Sequence, residues 1–281
     1  MNRDRLFVWL QYILPQHGLS RLVLHATRVR ALWFKNLLTR GFLKLYQVDM
    51  SEAAESDPYA YPSFNAFFTR ELAAGRRPID PEAAAIVSPV DGTVSECGLL
   101  RGDALLQAKG REYSVHELLA GQPWAERFAA GSFATIYLAP FDYHRIHMPL
   151  TGKLLETVYV PGRLFSVNDV TASQVPRLFA RNERVLTLFE SAAGRFALVL
   201  VGALNVGSIA TVWAGDIAPS TRRRIARLPA IDLQLAKGVE LGRFNMGSTV
   251  ILLFENRRVA WEAGLQRGAV VRLGARIGTM Q

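Results

Sequence analysis

The stretch Phe196-Ala-Leu-Val-Leu-Val-Gly-Ala-Leu-Asn-Val-Gly-Ser-Ile-Ala-Thr-Val-Trp-Ala-Gly215 holds no charged residue. A run of that length is enough to cross a bilayer as a helix. Gly202, Asn205, Gly207 and Ser208 interrupt it, and Val199, Val201, Ile209, Thr211 and Val212 make it rich in β-branched side chains. Such side chains suit a pleated surface, while glycine and asparagine suit turns. The run therefore predicts two buried strands joined near Ala203–Asn205, not a transmembrane helix.

The same texture extends outward on both sides. From Ile86 onward short β-rich runs alternate with Gly, Pro, Asn and Asp, as at Phe133–Leu138, Leu155–Val160, Arg184–Phe189 and Thr249–Phe254. Many short strands of this kind predict a compact β-rich domain, barrel- or sandwich-like. His116–Ala120 and Val175–Ala180 read as short helical turns. Asp91-Gly92 suits a hairpin turn. Upstream, Ser51–Pro62 is polar with two prolines and marks a boundary. Phe64, Phe67, Phe68 and Leu72 then recur at helical spacing, up to the stop at Gly75-Arg-Arg-Pro78.

Residues 1–50 read as helical. Arg5–Leu14 is apolar nearly all round and stops at Pro15. Ser20 can cap a second helix running to about Arg40, where Gly41 interrupts, and Phe42–Tyr46 continues the pattern. On a helical wheel Arg28 and Lys35 fall beside Arg21, with Leu22, Val23, Ala26, Val29, Trp33, Phe34 and Leu37 opposite. Two readings stay open: a helical hairpin on a soluble core, or an interfacial helix pair on anionic lipid. A signal peptide fits less well, since Gln11 interrupts the apolar run and no small-residue cleavage site follows. The fold class is α+β: an N-terminal helical region, 1–50, then a β-rich domain, 51–281.

Half of the 281 residues are hydrophobic and a fifth are charged, which excludes a disordered chain. The lone cysteine, Cys97, excludes an internal disulfide framework and a multi-cysteine zinc site. The formal charge is +9, but it is not diffuse. Residues 1–50 carry eight Lys/Arg against two acids, and residues 248–281 carry five Arg against two Glu. The rest is neutral. That distribution argues against a nucleic-acid reader with a basic body.

Three places can carry chemistry. His144 and His147 sit together in Phe141-Asp-Tyr-His-Arg-Ile-His-Met-Pro149, as metal ligands, acid/base groups or ordinary buried residues. Asp91 is either turn chemistry or a carboxylate that orients a histidine. Gly247-Ser248 opens an apolar strand. Glycine permits close approach to its carbonyl carbon, and a following serine can attack it once a base takes the hydroxyl proton.

The ordered segments Leu10-Gln-Tyr-Ile-Leu-Pro15, Phe64-Asn-Ala-Phe-Phe-Thr-Arg70, Pro89-Val-Asp-Gly92, Gln107-Ala-Lys-Gly110, Asp142-Tyr-His-Arg-Ile-His-Met-Pro149, Tyr159-Val-Pro-Gly162, Leu164-Phe-Ser-Val-Asn168, Phe179-Ala-Arg-Asn-Glu-Arg184 and Met246-Gly-Ser-Thr249 span nearly the whole chain. Together they resemble the membrane-associated, pyruvoyl-dependent phosphatidylserine decarboxylase proenzymes. Met246 departs from the family's usual leucine, a volume-conserving exchange. The resemblance implies a catalytic domain over 51–281 and self-cleavage between Gly247 and Ser248. The products are a β chain, 1–247, and an α chain, 248–281, that stay associated. It implies a relay of Asp91, His147 and Ser248 for that cleavage. Ser248 becomes the covalent pyruvoyl cofactor, which forms a Schiff base with phosphatidylserine, and His144 is the general acid in decarboxylation to phosphatidylethanolamine and CO2. Phe165, Ser166 and Asn168, in a loop with backbone donors, are the expected substrate contacts. No metal and no nucleic acid are expected. The implied partners are phosphatidylserine, an anionic membrane surface and further copies of the chain. The implied location is peripheral, on the cytoplasmic face of the cell membrane. Two other readings remain: a zinc hydrolase using His144, His147 and Asp91, and a non-catalytic lipid-binding module.

Overall fold

The computed structural model describes residues 3–107, 110–192, 194–204, 208–217, 224–255 and 258–281. Asn205 and Gly207 of the uncharged run, Lys109 of the 107–110 segment and Arg257 lie outside the described residues. Three helices come first: α1 (Arg3–Ile13), α2 (Gln16–Thr27) and α3 (Leu32–Leu45). A short helix α4 (Phe64–Phe68) leads into β1 (Ala85–Val87), β2 (Gly92–Leu99), β3 (Ala104–Gln107), β4 (Arg111–Ser114), α5 (Val115–Leu118) and β5 (Ser132–Leu138). Next come β6 (Arg145–His147), β7 (Gly152–Val160), α6 (Asp169–Gln174), α7 (Leu178–Arg181), β8 (Arg184–Ser191), β9 (Gly194–Val201), β10 (Ile209–Thr211) and β11 (Gly215–Ile217). The chain ends with β12 (Ala226–Arg227), β13 (Gln234–Leu235), β14 (Glu240–Phe244), β15 (Ser248–Phe254), β16 (Val259–Trp261), β17 (Val270–Val271) and β18 (Arg276–Met280).

The uncharged run is two strands, as its composition demands, but they do not pair. β9 lies inside a nine-stranded sheet ordered β12-β7-β8-β9-β15-β5-β2-β17, with β13 also on β7. β10 lies in a four-stranded sheet, β11-β10-β14-β6, and a three-stranded sheet runs β1-β18-β16. All these strand pairs are antiparallel. β15 is buried at every position between β9 and β5, so its outer residues have no solvent face to satisfy. Among the described residues no helix is long and apolar enough to cross a membrane.

Several local expectations change. Asp91-Gly92 is not a hairpin: β1 pairs with β18, and β2 with β5 and β17. Gly92 is instead a close approach, since a Cβ there would stand 2.4 Å from the Tyr137 carbonyl oxygen. The 64–72 helix stops at Phe68, because the Thr69 hydroxyl bonds back to Asn65 O at 2.9 Å. The second N-terminal helix breaks at 28–31, and α3 runs straight through Gly41. Ser20 sits buried inside α2, and does not cap it.

The helical region is turned inside out. Its buried residues are largely polar: Gln11, Gln16, Ser20, Thr27, Lys35 and Thr39. Its apolar side chains face outward, with Trp9, Leu22, Leu32, Trp33, Leu37 and Leu45 each more than half exposed. The polar side docks on the body. Gln11 Oε1 accepts from Ser166 N at 2.7 Å, and Gln16 Oε1 accepts from Leu164 N at 2.9 Å. Lys35 is not on an outer basic face. It is buried, with Nζ donating to Tyr59 O at 2.7 Å.

Candidate active site

Asp91 is held by the turn that joins β1 to β2. Ser88 pins the turn to the C-terminal segment, with Ser88 N donating to Ala275 O and Gly274 N to Ser88 O. The Asp91 carboxylate is almost wholly buried and fully engaged. Arg77 Nη2 donates to it at 2.6 Å, Arg272 Nη1 at 3.1 Å and Leu273 N at 2.8 Å. Burial pushes the carboxyl pKa up, but these donors outweigh burial and hold it below the usual carboxylate range. Arg77 is shared with Glu52, and bonds to the two carboxylates hold its pKa above the ordinary value.

His147 ends β6, and its backbone N donates to Pro89 O at 2.8 Å, which ties it to the Asp91 turn. Its Nδ1 lies 2.8 Å from Gly238 O and its Nε2 3.2 Å from the Tyr143 hydroxyl. A carbonyl only accepts, so the ring proton sits on Nδ1 and Nε2 is a bare acceptor. Burial lowers the pKa, and the Gly238 bond and the charges of Glu240 and Asp91 offset it only in part. His144 follows the same pattern more severely. Its Nδ1 donates to Asp142 O at 2.9 Å, its ring lies 4.2 Å from that of Phe68, and its Nε2 is buried without a partner. Burial pulls its pKa down to about 3. Both rings are neutral at pH 7.

Ser248 is the first residue of β15 and is completely buried. Among the described residues its hydroxyl has no hydrogen-bond partner, nor has that of Thr249 beside it. An orphaned buried hydroxyl carries a desolvation cost of about 1–3 kcal/mol. The bend before it is sharp: Met246 has φ +99° and Gly247 φ +46°. Left-handed φ is rare for a residue with a side chain. A Cβ on Gly247 would meet nothing within 4 Å. His144 belongs to the same neighbourhood, since Phe244 N donates to His144 O at 3.0 Å.

The three side chains of the expected relay are thus not hydrogen-bonded to one another. His147 N is bonded to the Asp91 turn at Pro89 O, but the Asp91 oxygens are occupied by Arg77, Arg272 and Leu273 N, and Gly238 O takes the place at His147 Nδ1. Arg77, Glu52, Arg272, Tyr143 and Gly238 were not foreseen. The sequence marks Arg77 only as part of a helix stop; Glu52, Gly238 and Arg272 lie far from their partners in the chain, while Tyr143 is four residues from His147 but carries no signal of its own. In the Leu164–Asn168 loop three backbone donors are already engaged within the chain. The N–H groups of Leu164, Phe165 and Ser166 already serve Gln16, Asn182 and Gln11. Phe165 is buried and packs on Tyr12 at 4.9 Å. Asn168 caps α6 and lines a cavity of about 390 Å³ with Thr93, Tyr137 and Arg267. Among the described residues no group of three His, Cys, Asp or Glu is placed to hold a metal ion. The hydrolase reading therefore gains no support from the geometry.

A family model described as phosphatidylserine decarboxylase matches residues 64–279, and a second, described as PSD, matches residues 6–47. A phosphatidylserine decarboxylase proenzyme of Pseudomonas fluorescens is 53% identical over 284 residues, covering 98% of each chain. One of Ectopseudomonas mendocina is 52% identical over 286 residues, covering 99% of each.

Proposed function

The chain belongs to the phosphatidylserine decarboxylase family, and from that premise we propose that it cleaves its own Gly247–Ser248 bond and then converts phosphatidylserine to phosphatidylethanolamine and CO2. The observation that carries the first step is the buried, unpartnered Ser248 hydroxyl beside a left-handed Gly247. His147 is the base: Gly238 O holds the proton on Nδ1, so Nε2 is unprotonated and accepts from the Tyr143 hydroxyl, which must yield that place to the Ser248 proton. Asp91 lends its charge from the β1–β2 turn to which His147 N is bonded. Ser248 Oγ attacks the Gly247 carbonyl carbon, the C–N bond breaks, and the acyl group moves from nitrogen to oxygen. Loss of the 248 α-proton expels the Gly247 carboxylate and leaves dehydroalanine. Tautomerisation and addition of water release ammonia and leave a pyruvoyl terminus at 248.

That group supplies a ketone that condenses with an amine and draws off the electrons left when CO2 departs. The chain's own residues do the rest. His144 Nε2 delivers the proton to the carbon that loses CO2. Its low pKa is that of a buried ring with no anion beside it, and a substrate carboxylate at Nε2 favours the protonated form. The burial of Ser248 and His144 keeps water from the reacting atoms.

The acyl chains of the substrate stay in the bilayer, so the site must meet a membrane surface. The outward apolar face of α1–α3 and the net positive charge of residues 1–50 support a peripheral position on the cell membrane, on its cytoplasmic face. The test is the intact mass of the purified protein under denaturing conditions. Wild type gives two chains split after Gly247, Ser248→Ala gives one, and only wild type releases CO2 from phosphatidylserine vesicles. An uncleaved wild-type chain with full activity would overturn the proposal.

A further inference from the structure

The bend before Ser248 is gripped from two sides. Asn245 is buried, 3% exposed. Its Nδ2 donates to Ser208 Oγ at 2.6 Å and to Asp216 Oδ1 at 2.9 Å. Its Oδ1 accepts from Asn65 Nδ2 at 3.1 Å, and its backbone N donates to Ser208 O at 3.0 Å. These partners come from α4, from the residue before β10 and from β11, so three separate parts of the chain meet on one side chain. Arg28, at the break between α2 and α3, closes the network with Nη2 donating to Asp216 Oδ2 at 2.6 Å. Met246 is held on the other side, against a small aromatic core of Phe42, Phe64, Phe67 and Phe68.

Downstream, Ser248 is fixed by pairing with Leu138 at the start of β15. Residues 245, 246 and 248 are thus anchored, and Gly247, with open space at its Cβ position, is the one free joint between them. An acyl shift within a single dipeptide depends on the angle at which Oγ meets the preceding carbonyl carbon. We infer that Asn245 is a positioning residue for self-cleavage: by fixing the upstream arm of the bend it aims the Gly247 carbonyl at Ser248 Oγ. It touches neither reacting atom. Asp216 acts through Asn245, and Arg28 brings the helical region into the same network. The half-exposed Arg28–Asp216 pair makes the weakest contribution.

The inference rests on the proposed cleavage at Gly247–Ser248. It is tested by following release of the C-terminal chain from freshly synthesised precursor, by mass, for wild type, Asn245→Ala, Asp216→Asn and the double variant. A misplaced reacting group costs a rate factor on the order of ten to a hundred, and that is the loss expected for Asn245→Ala. Asp216→Asn should lose less, and should add nothing in the Asn245→Ala background. The pH at which cleavage is half-maximal should not move, because His147 remains the base. Asn245→Ala should lower the melting temperature of the Ser248→Ala precursor, because Asn65, Ser208 and Asp216 lose a buried partner, so cleavage is followed at a temperature where both precursors are fully folded by circular dichroism. Wild-type rates in Asn245→Ala under those conditions, a rate loss accounted for by an unfolded fraction of the precursor, or additive losses in the double variant would each overturn the inference. A wild-type chain that never cleaves at 247–248 overturns the function proposal instead, which keeps the two failures apart.

Discussion

His144 and His147 stand three residues apart, and each gives its Nδ1 proton to a backbone carbonyl, leaving a bare Nε2. Their surroundings separate them. His147 Nε2 has the Tyr143 hydroxyl beside it and its backbone N is bonded to the Asp91 turn, while His144 Nε2 is buried with no partner among the described residues and its ring packs on Phe68. His147→Ala should therefore block self-cleavage, and His144→Ala should cleave but release less CO2 by at least about a hundredfold, the usual worth of a positioned acid. The reverse pattern, read by mass and by CO2 trapping, would exchange the two assignments. The pH dependence follows from burial. His147 lies below its ordinary pKa of 6.5, so the cleavage rate should be flat near neutrality and fall only at a pH below 6.5. His144 takes its proton near pH 3 in the folded chain but near 6.5 when unfolded. Its contribution to stability is whole above pH 6.5 and is lost as pH falls toward 3. Asp142, raised to about 6 by burial, works in the opposite sense. Comparing the melting of Ser248→Ala with that of Ser248→Ala/His144→Gln across that range isolates the histidine, and the second curve should be the flatter. The reacting residues were legible because their types and order carry the chemistry. The arginines on Asp91 were not, because Arg272 is 181 residues away in the chain and only folding brings it near.

The elements show where pattern reading succeeds and where it slips. β-branched content identified β9 and β10, since a buried strand needs little besides such side chains. The helical wheel misplaced Lys35, because it assumed one straight helix from Ser20 to Arg40. The break at 28–31 resets the phase, so residues on either side no longer share a face. Burial then reverses the usual rule in α1–α3, with glutamines inward and tryptophans outward. The two sides should respond differently to substitution. Gln11→Ala leaves the Ser166 N–H without its acceptor and should cost about 1–3 kcal/mol, seen as a lower melting temperature. Trp33→Ser and Leu37→Ser remove only exposed side chains and should leave stability within about 0.5 kcal/mol. They should nevertheless weaken sedimentation with phosphatidylserine vesicles. Unchanged vesicle binding in the double surface variant would remove the helical face as the lipid contact.

At the scale of the molecule, the proposed cut falls at an edge that the sheets hardly notice. Residues 248–281 supply β15, the strand between β9 and β5, and also β17 on β2 and β18 on β1. Three of the arginines in this segment are paired within the chain. Arg267 pairs with Glu96, Arg272 with Asp91 and Arg276 with Asp80. The positive excess of this segment is thus largely engaged by acids of the same chain. Every residue of β15 is buried, and a side chain of this kind contributes about 1.5–3 kcal/mol of burial when fully covered. The join between the two pieces is therefore apolar burial and backbone ladder more than ion pairing. High salt screens surface pairs but leaves burial intact. After cleavage the two chains should co-elute as one species on size exclusion, with or without 1 M salt added (a screening length of about 3 Å). They should part only at the denaturant concentration that unfolds the β-rich body, read by circular dichroism on the same samples. A C-terminal chain that elutes by itself in native buffer, or that is released by salt while the dichroism is unchanged, would mean that ion pairs rather than β15 hold the pieces together.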